Sequence, residues 1–313
     1  MTVPIVVIGS LNMDFVVQMP RLPERGQTLC GEGFQMLPGG KGANQACAAG
    51  RLGGRVRMLG RVGADIFGEQ LRLSLQSAGV DAGMVLATEG TATGVALIFV
   101  ESGGQNMIVI AAGANGKLSP EDLLSAQAAF APGLLLLQLE TPLETVAAAA
   151  ALGKSRGMTV LLDPAPAQAL RRNLLEHVDL LTPNETEALA LLGRPGRDLP
   201  LAEAGKIARE LLLLGPRSVI LKLGSKGAWW TDGVRDRHFP AIPVQAIDAT
   251  AAGDTFNGAL AVALAEGKAM EEAIPFANAA AALSVTRLGA QASIPDREET
   301  ERLLRTTSLY GQK

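Results

Sequence analysis

Short apolar runs recur along the first 224 residues of the chain. The run 4-PIVVIG-9 combines β-branched residues with a final glycine, which is typical of a buried strand. Similar runs follow at 56-VRMLGRVG-63, 134-LLLLQL-139, 159-TVLLDP-164, 178-VDLLTP-183 and 218-SVILKLG-224. Helical patterns such as 142-PLETVAAAAALGKSRG-157 and 200-PLAEAGKIARELLLLG-215 separate several of them. This alternation predicts an α/β unit with a mostly parallel central sheet that helices cover on both faces.

Two segments interrupt the alternation. Residues 12–38 are extended and punctuated by Pro and Gly. The run 93-TGVALIFV-100 pairs naturally with 106-NMIVIAAG-113 across the polar turn 101-ESGGQ-105, which predicts a β-hairpin. We therefore expect one domain over residues 1–313, with a small β-sheet lid built from about 12–38 and 93–111.

Composition narrows the class of protein. The 313 residues are enough to bury a large core, and the net charge of -3 gives no electrostatic argument for binding nucleic acid. Cys30 and Cys47 are too few for a disulfide framework, which fits a reducing compartment. We see no signal-peptide pattern and no apolar run of membrane-spanning length. The expectation is a cytoplasmic enzyme without nucleic-acid or membrane partners.

The glycine-rich stretch 38-PGGKGANQACAAGRLGG-54 is a candidate binding segment. Glycines around Lys41 let the backbone approach a ligand, and a helix predicted to begin near Asn44 points its free N–H groups back at it. The stretch is not a Walker A loop, because Gln35 and Gly42 stand where that motif needs Gly and Ser or Thr. A tight strand-to-helix turn explains the same glycines, and both interpretations stay open.

Polar residues stand where predicted strands end, which is where ligands bind in parallel sheets. Asn12 and Asp14 face the same side of an extended chain and suit two hydroxyls of a polyol, although an Asx-type turn is the alternative. Glu140 ends the strand at 134–139. Asn184 and Glu187 are three residues apart and suit the water shell of Mg²⁺ beside phosphates, with a solvent-facing pair as the alternative.

Two stretches match capping boxes at helix starts. They are 141-TPLE-144 and 182-TPNE-185, in which Thr and Glu are three residues apart. These matches predict structural roles for Thr141, Glu144, Thr182 and Glu185.

The stretch 248-DATAAGDTFNGAL-260 places small residues and an acid at a predicted helix start. The segment 251-AAG-253 leaves backbone N–H groups open to an anion at the helix N-terminus. Asp254 in the first turn suits a base that takes a proton from a hydroxyl during phosphoryl transfer. The alternative is that Asp254 or Thr255 caps the helix.

Two long signatures carry a resemblance to a known family. They are 39-GGKGANQACAAGRLGG-54 and 248-DATAAGDTFNGAL-260, and between and around them stand 9-GSLNMD-14, 93-TGVALIFV-100, 113-GAN-115, 182-TPNETEA-188 and 284-SVTRLGAQAS-293 in the expected order. Along nearly its full length the chain resembles the ribokinase (PfkB) family of carbohydrate and nucleoside kinases. The resemblance implies a ribokinase-like three-layer αβα sandwich with a β-sheet lid. Many members have Gly-Ala-Gly-Asp where this chain has 251-AAGD-254.

The resemblance also implies an activity. It implies transfer of the γ-phosphoryl group of ATP to the 5-hydroxyl of ribose, with Mg²⁺ as cofactor and K⁺ or another monovalent cation as activator. A kinase for deoxyribose, fructose or a nucleoside stays open, and a homodimer through the lid sheets is implied. A non-catalytic binding protein is disfavoured because Asp254 and the glycines are present. A dehydrogenase is disfavoured because no Gly-x-Gly-x-x-Gly follows the first strand.

Site residues follow from the same resemblance. For catalysis it implies Asp254 as the base and an anion hole at Ala251, Ala252 and Gly253. For the sugar it implies Asn12, Asp14, Gly40, Lys41, Gly42, Ala43, Asn44, Glu140 and Asp254. For ATP it implies Asn184, Glu187, Lys222, Gly224, Ser225, Gly227, Gly253 and Asn278. For the monovalent cation it implies Asp248, Thr250, Ser284, Arg287, Gly289 and Ser293, some of them through backbone carbonyls.

Overall fold

The computed structural model describes residues 2–101, 106–194, 196 and 198–310. Its strands, in chain order, are β1 (Ile5–Ile8), β2 (Asn12–Met19), β3 (Gly33–Gly39), β4 (Val56–Gly63), β5 (Asp81–Thr88), β6 (Gly94–Glu101), β7 (Asn106–Ala111), β8 (Leu134–Leu137), β9 (Thr159–Leu162), β10 (Leu180–Leu181), β11 (Val219–Lys222), β12 (Ala228–Thr231) and β13 (Asp236–Phe239). Its helices are α1 (Lys41–Arg51), α2 (Ile66–Ser77), α3 (Pro120–Ser125), α4 (Leu143–Ser155), α5 (Arg172–Leu175), α6 (Glu185–Leu191), α7 (Leu201–Leu212), α8 (Ala252–Ala265), α9 (Met270–Ser284) and α10 (Arg297–Tyr310).

The main sheet has nine strands in the order β13-β12-β11-β10-β9-β8-β1-β4-β5. The seven strands from β11 to β5 in that order pair in parallel, whereas β12 runs antiparallel to both β11 and β13. Each of the six apolar runs in the sequence contains one of the parallel strands. The predicted, mostly parallel sheet is therefore confirmed.

Helices cover both faces of this sheet. In β1, Ile5 and Val7 belong to a buried core that includes residues of α1, α2, α8 and α9. Val6 and Ile8 alternate with them and belong to a second core that includes residues of α3 to α7. Because both faces of the central strands are buried, these strands read as continuous apolar runs. The predicted three-layer αβα arrangement is confirmed.

A separate sheet of four strands has the order β3-β2-β6-β7. β2 is parallel to β6, and the other two pairs are antiparallel, so the predicted hairpin of β6 and β7 is confirmed. Residues 102–105 of its predicted turn lie outside the described residues. The register brings exposed apolar side chains onto one face, which we call the outer face: Phe34, Met36, Leu97, Met107 and Val109.

The parallel pairing brings polar residues to one edge of the main sheet. β11, β10, β9, β8 and β1 are consecutive neighbours, and their carboxyl ends point the same way. Lys222 ends β11, and the other four strands are followed closely by Asn184, Asp163, Glu140 and Ser10. These five residues come from distant parts of the chain but meet at the edge where ligands bind in such sheets.

Two further features concern the surroundings of the molecule. Among the described helices, none combines the length and the apolar character needed to span a bilayer. Cys30 is exposed and Cys47 is buried, and both are free thiols.

Candidate active site

The first turn of α8 forms the centre of the candidate site. α8 begins at Ala252, and Ala251 before it adopts a left-handed backbone with φ 58° and ψ 14°. A left-handed alanine costs about 1 kcal/mol, and such strain clusters at functional sites. The first N–H groups of a helix lack intrahelical partners, so this turn suits an anion.

The Asp254 carboxylate is buried beside this turn, and each of its oxygens accepts one amide hydrogen bond. Oδ2 accepts from Asn44 Nδ2 at 3.0 Å, and Oδ1 accepts from Gln45 Nε2 at 3.1 Å. Neither Asp254 nor Thr255 makes a capping hydrogen bond to α8, so the capping alternative is wrong. Burial raises the pKa of Asp254, and the charge of Asp163 raises it further although Lys41 opposes both. A carboxylate with a raised pKa is better suited to accept a proton near neutral pH.

The glycine-rich segment is mostly helical. α1 begins at Lys41, three residues before the predicted start. Gly40 precedes it with φ 89°, and a Cβ atom at that position would lie 2.7 Å from the backbone nitrogen of Asn12. Glycine is therefore required at position 40, because a side chain would collide with the strand that begins at Asn12.

The first N–H groups of α1 have partners inside the protein. The N–H of Lys41 donates to Glu140 Oε2 at 3.1 Å, and the N–H of Gly42 donates to Ser10 Oγ at 3.3 Å. Ser10 Oγ in turn donates to Glu140 Oε2 at 2.6 Å. The expectation of free N–H groups at this helix start is therefore wrong. Glu140 and Ser10 fix the segment against the ends of β8 and β1.

Three acidic side chains converge on one side of the α8 N-terminus. Burial raises the pKa of Asp14 to about 7, and the negative charges of Glu140 and Asp254 add to that shift. Burial by itself lowers the pKa of Lys41, but the surrounding carboxylates, Asp254 first, outweigh burial and raise it. Lys41 therefore stays protonated among these acids. Closely spaced acceptors with one cation between them suit the hydroxyl groups of a sugar.

Asn12 contacts a residue for which the sequence suggested no role. Its Oδ1 accepts from Asn115 Nδ2 at 2.8 Å. Asn115 is itself held by Leu11, because its Oδ1 accepts from the Leu11 N–H at 2.9 Å and its Nδ2 donates to the Leu11 carbonyl oxygen at 3.0 Å. The side chain of Asn12 is thus oriented by a distant residue, in contrast to the local contact of an Asx-type turn.

A cavity of about 390 Å³ opens at the α8 N-terminus. Its lining combines small backbone positions with charged side chains of both signs. The charged lining residues that bear on its chemistry are Lys41, Asp163, Glu187, Lys222 and Asp254. Lys222 Nζ donates to Asp163 Oδ1 at 2.9 Å and lies 3.2 Å from where a Cβ atom of residue 253 would be. A lysine beside a helix N-terminus suits a phosphate group.

A second cavity of about 510 Å³ adjoins the first. The two cavities share Lys222, Gly224, Ala249, Ala252 and Gly253. Apolar side chains and glycines make up most of the second lining, which also includes the predicted residues Ser225, Gly227 and Asn278. Its apolar walls and few polar groups suit a flat heterocycle. The two cavities together offer a continuous space for a nucleotide.

Asn184 and Glu187 form a capping box at the start of α6, in which each side chain accepts from the backbone N–H of the other residue. Asn184 Oδ1 accepts from the Glu187 N–H at 2.8 Å, and Glu187 Oε2 accepts from the Asn184 N–H at 2.8 Å. Both line the first cavity, and Glu187 is buried, so the solvent-facing alternative is wrong for Glu187. No group of three or more His, Cys, Asp or Glu suited to a metal occurs in the described part of the chain. A single carboxylate fits Mg²⁺, which keeps several of its waters.

Both predicted capping boxes are wrong. α6 begins at Glu185, and Thr182 Oγ1 donates to the Leu162 carbonyl oxygen at 3.4 Å instead of capping the helix. α4 begins at Leu143, and Thr141 Oγ1 is buried without a hydrogen-bond partner. In both stretches a competing feature decides the helix start: the Asn184–Glu187 pair in one, and Pro142 at the N-cap in the other.

The polar side chains predicted to bind a monovalent cation already have hydrogen-bond or ion-pair partners within the protein. The Asp248 carboxylate accepts from the N–H and hydroxyl of Thr250 at 2.9 and 2.6 Å, and from the Gly289 N–H at 2.9 Å. These bonds hold the pKa of Asp248 below its usual value although burial opposes them. Arg287 pairs with Glu299 at 2.6 Å. The Ser284 hydroxyl donates to the Ala281 carbonyl oxygen, and the Ser293 hydroxyl donates to the Ala290 carbonyl oxygen. Backbone carbonyls are thus the groups that suit a cation here.

Several site residues were missed in the sequence. Gln138 directly follows β8, and Asp163 directly follows β9. Because ligands bind at the carboxyl ends of parallel strands, the position of both residues was a signal that could have found them. Ser10 and Asn115 lay in quoted family segments without a role, and Gln45 lay inside the glycine-rich signature. Their hydrogen bonds join parts of the chain that lie more than 30 residues apart, which the sequence pattern does not reveal.

Comparison with known proteins identifies relatives over nearly the whole chain. A family model described as "pfkB family carbohydrate kinase" matches residues 4–297. The ribokinase of Haemophilus influenzae is 44% identical over 295 residues, which cover 94% of this chain and 96% of that protein. The ribokinase of Bacillus subtilis is 42% identical over 301 residues, 96% of this chain and 99% of that protein. A deoxyribokinase of Salmonella typhi is 40% identical over 297 residues, 94% of this chain and 96% of that protein.

Solved structures give the same picture. The ribokinase of Thermotoga maritima superposes with a TM-score of 0.88 at 41% identity, covering 97% of this chain and 99% of that one. The ribokinase of Arabidopsis thaliana, solved in complex with ribose and ATP, also has a TM-score of 0.88, at 37% identity and with the same coverage.

Proposed function

The chain belongs to the pfkB family of carbohydrate kinases, and on that premise we propose that it transfers the γ-phosphoryl group of ATP to the 5-hydroxyl of D-ribose. The relatives named ribokinase, at 42–44% identity over almost the whole chain, support ribose as the acceptor. One observation carries the proposal: the buried Asp254 carboxylate lies in the first turn of α8, lines the charged cavity and is near enough to Asp14 for its charge to raise the pKa of Asp14.

Asp254 takes the proton from the acceptor hydroxyl in the proposed reaction. Its carboxylate is buried, oriented by two amides and next to the first turn of α8. The backbone of Ala251, Ala252 and Gly253 stabilises the charge that develops on the transferring phosphoryl group. Asp254 therefore acts on the acceptor hydroxyl, while the α8 N-terminus acts on the phosphoryl group that this hydroxyl attacks.

The sugar is proposed to lie against the acid-rich side of the site. Asn12 and Asp14 contact its hydroxyl groups from β2, and Glu140 contacts the sugar from the end of β8. The segment from Gly40 to Asn44 contributes the other wall, through Lys41 in particular. The small sheet closes over the sugar as a lid and excludes water.

ATP is proposed to occupy the two adjoining cavities. The apolar cavity takes the base beside Gly224, Ser225, Gly227 and Asn278, and the charged cavity takes the phosphates near Lys222. Asn184 and Glu187 hold Mg²⁺ through its waters. Bound Mg²⁺ neutralises charge on the phosphates.

A monovalent cation, K⁺ among them, is proposed to bind beside the anion site. The candidate groups are the backbone carbonyls around Asp248, Thr250, Ser284, Arg287, Gly289 and Ser293. Asp248 supports this assignment because its carboxylate ties the Thr250 and Gly289 segments together.

An acceptor panel tests the activity. ADP release from ATP and Mg²⁺ is measured with ribose, deoxyribose, fructose and a nucleoside, each with and without K⁺. We expect ribose to give the highest kcat/KM and K⁺ to increase it. A higher kcat/KM for deoxyribose would favour the second candidate, which the deoxyribokinase at 40% identity supports. No ADP release with any acceptor would overturn the proposed activity.

A homodimer through the small sheets is also proposed. The outer face exposes 43–59% of each of its five apolar side chains, which favours a protein partner over solvent. Leu97→Glu should shift the protein to monomer in analytical ultracentrifugation. Leu213→Glu is the matched control, because Leu213 is 76% exposed on the main domain and lies outside that sheet. A Leu97→Glu protein that sediments like wild type would exclude this interface.

A cytoplasmic location is proposed on the two free thiols, which a reducing compartment preserves. Fractionation of the source cells tests it.

A further inference from the structure

Hydrogen bonds between buried side chains connect Gln138 through Gln45 to Oδ1 of Asp254. Gln45 is fully buried in α1, and its Nε2 lies 3.1 Å from Asp254 Oδ1 and 2.9 Å from Asp163 Oδ2. Its Oε1 accepts from Gln138 Nε2 at 2.8 Å. Because both neighbours on one end are carboxylates, only the amide nitrogen can face them. Each Gln45 hydrogen therefore has one acceptor, and the amide has a single favourable orientation.

Gln138 in turn depends on a glycine. A Cβ atom at Gly9 would lie 2.0 Å from Gln138 Oε1. The backbone after β1 therefore leaves room for this amide only because residue 9 has no side chain. The hydrogen bond between the Gln138 and Gln45 amides thus brings three elements together. They are the ends of β1 and β8 and the start of α1, which are far apart in the chain.

The opposite oxygen of Asp254 is held in a similar way. Asn44 Nδ2 donates to Oδ2, and Asn44 Oδ1 accepts from Gln291 Nε2 at 3.3 Å. The carboxylate plane is thus fixed from two sides. The two amides differ in one respect. Gln45 also joins Asp254 to a second carboxylate, Asp163, whose charge is balanced by Lys222 in the cavity at the α8 N-terminus.

We propose that Gln45 is a positioning residue for phosphoryl transfer: it holds the Asp254 carboxylate towards the acceptor hydroxyl and separates it from Asp163. This inference rests on the proposed kinase activity. Without the Gln45 amide, Asp254 and Asp163 would face each other in a buried site without a hydrogen bond from residue 45. Lys41 is then the charged group that still acts on both carboxylates, and Asp163 keeps its bond to Lys222. Asp254 would then rotate away from the acceptor or retain a proton.

Gln45→Met is the direct test, because methionine keeps the size of the side chain and removes both donors. We expect kcat to fall about 10- to 100-fold, as for the loss of one charged hydrogen bond, and the KM for the sugar to stay within about threefold. N–H donors lower the pKa of a carboxylate, so their loss should move the acid limb of the kcat/KM profile to higher pH. Sugar affinity by calorimetry should not change.

Two further variants separate positioning from packing. Gln138→Met leaves Gln45 in place but removes the bond that orients its amide, so a smaller change in the same direction is expected. Thr145→Val removes a buried hydroxyl that donates to the Leu118 carbonyl oxygen far from Asp254. It should lower Tm and leave kcat and the acid limb unchanged.

The outcomes distinguish this inference from the activity itself. A wild-type protein that releases no ADP with any acceptor overturns the proposed function. An active wild type together with a folded Gln45→Met protein whose acid limb is unchanged overturns only the role of Gln45, whether or not kcat falls. If Gln45→Met does not fold, an unchanged acid limb in Gln138→Met has the same meaning.

Discussion

The two sides of the α8 N-terminus differ in how they are built. On the proposed sugar side, Asp14, Glu140 and Asp254 are acids near one lysine, Lys41. Burial and the charges of Glu140 and Asp254 raise the pKa of Asp14, and the carboxylates of Asp254 and Glu140 help to raise that of Lys41. On the proposed nucleotide side, the larger cavity is lined mostly by glycines, alanines and apolar side chains, and Lys222 is the only charged residue among the described residues of that lining.

This difference indicates where selectivity arises. Charged side chains in fixed positions discriminate between hydroxyl patterns, because a missing partner leaves a buried polar group unpaired. An apolar cavity with exposed backbone discriminates by shape and tolerates small changes. We therefore expect substitutions on the sugar side to have large effects and those on the nucleotide side to have small ones.

The largest effect is expected for Asp254→Asn. Loss of the proton acceptor should lower kcat about 10²- to 10⁴-fold, because general-base catalysis contributes that much. Sugar affinity measured by calorimetry should stay near that of wild type. Turnover within tenfold of wild type would remove Asp254 from the role of base.

Asp14→Asn should have the next largest effect, on the sugar KM. Loss of a charged acceptor for a hydroxyl is expected to raise KM about 100-fold, and kcat should fall less. A sugar KM unchanged by this variant would contradict the assignment of Asp14 to the sugar.

The same variant should stabilise the protein at alkaline pH. The folded-state pKa of Asp14 is about 7 against an ordinary value of 3.8, so the folded state binds more protons between these values. The free energy of unfolding therefore falls as pH rises from about 4 through 7, and Asp14→Asn removes that loss. At pH 8 the variant should be more stable by about 4 kcal/mol, and a lower Tm than wild type at pH 8 would contradict the raised pKa.

Lys222→Met tests the one charged residue in the lining of the larger, apolar cavity. It leaves buried Asp163 without its cation, so stability should fall by about 3 kcal/mol. The KM for ATP should rise about tenfold, with little change in the KM for the sugar. The matched control is Lys222→Met with Asp163→Asn, which should recover most of the stability without recovering the KM for ATP. Recovery of both would assign Lys222 to the ion pair alone.

Val285→Ala should have the smallest effect. Val285 lines the apolar cavity, and loss of part of its side chain should raise the KM for ATP about threefold. The sugar KM is the internal reference and should not move. If Val285→Ala raises the KM for ATP as much as Asp14→Asn raises the KM for the sugar, the two sides do not differ in their sensitivity to substitution.

The sequence predicted the fold better than the contacts within the site. Buried parallel strands are readable because both faces are apolar, as in β1 and β8. The positions of Glu140 after a strand end and of Asp254 at a helix start were also readable, and Asp14 follows β1 as predicted but lies inside β2. The exact helix starts were not readable. Pro142 and the Asn184–Glu187 pair set the starts of α4 and α6, in place of the predicted capping boxes at 141–144 and 182–185.

Long-range hydrogen bonds are the part that the sequence did not show. Gln45 stands in a familiar signature, yet its partners are 93 to 209 residues away. Nothing in local spacing indicates that one amide lies between two carboxylates. Such contacts depend on how β8, β9, α1 and α8 meet, and only the folded chain brings them together.

The position of the transferred phosphate tests the central claim most directly. The protein is incubated with ATP, Mg²⁺ and D-ribose, and the product is analysed by correlation of its ³¹P signal with the sugar protons. We expect one phosphate per ADP released, coupled to the two C5 protons of the sugar. ADP release without a sugar phosphate, or a phosphate coupled to the anomeric proton, would contradict it.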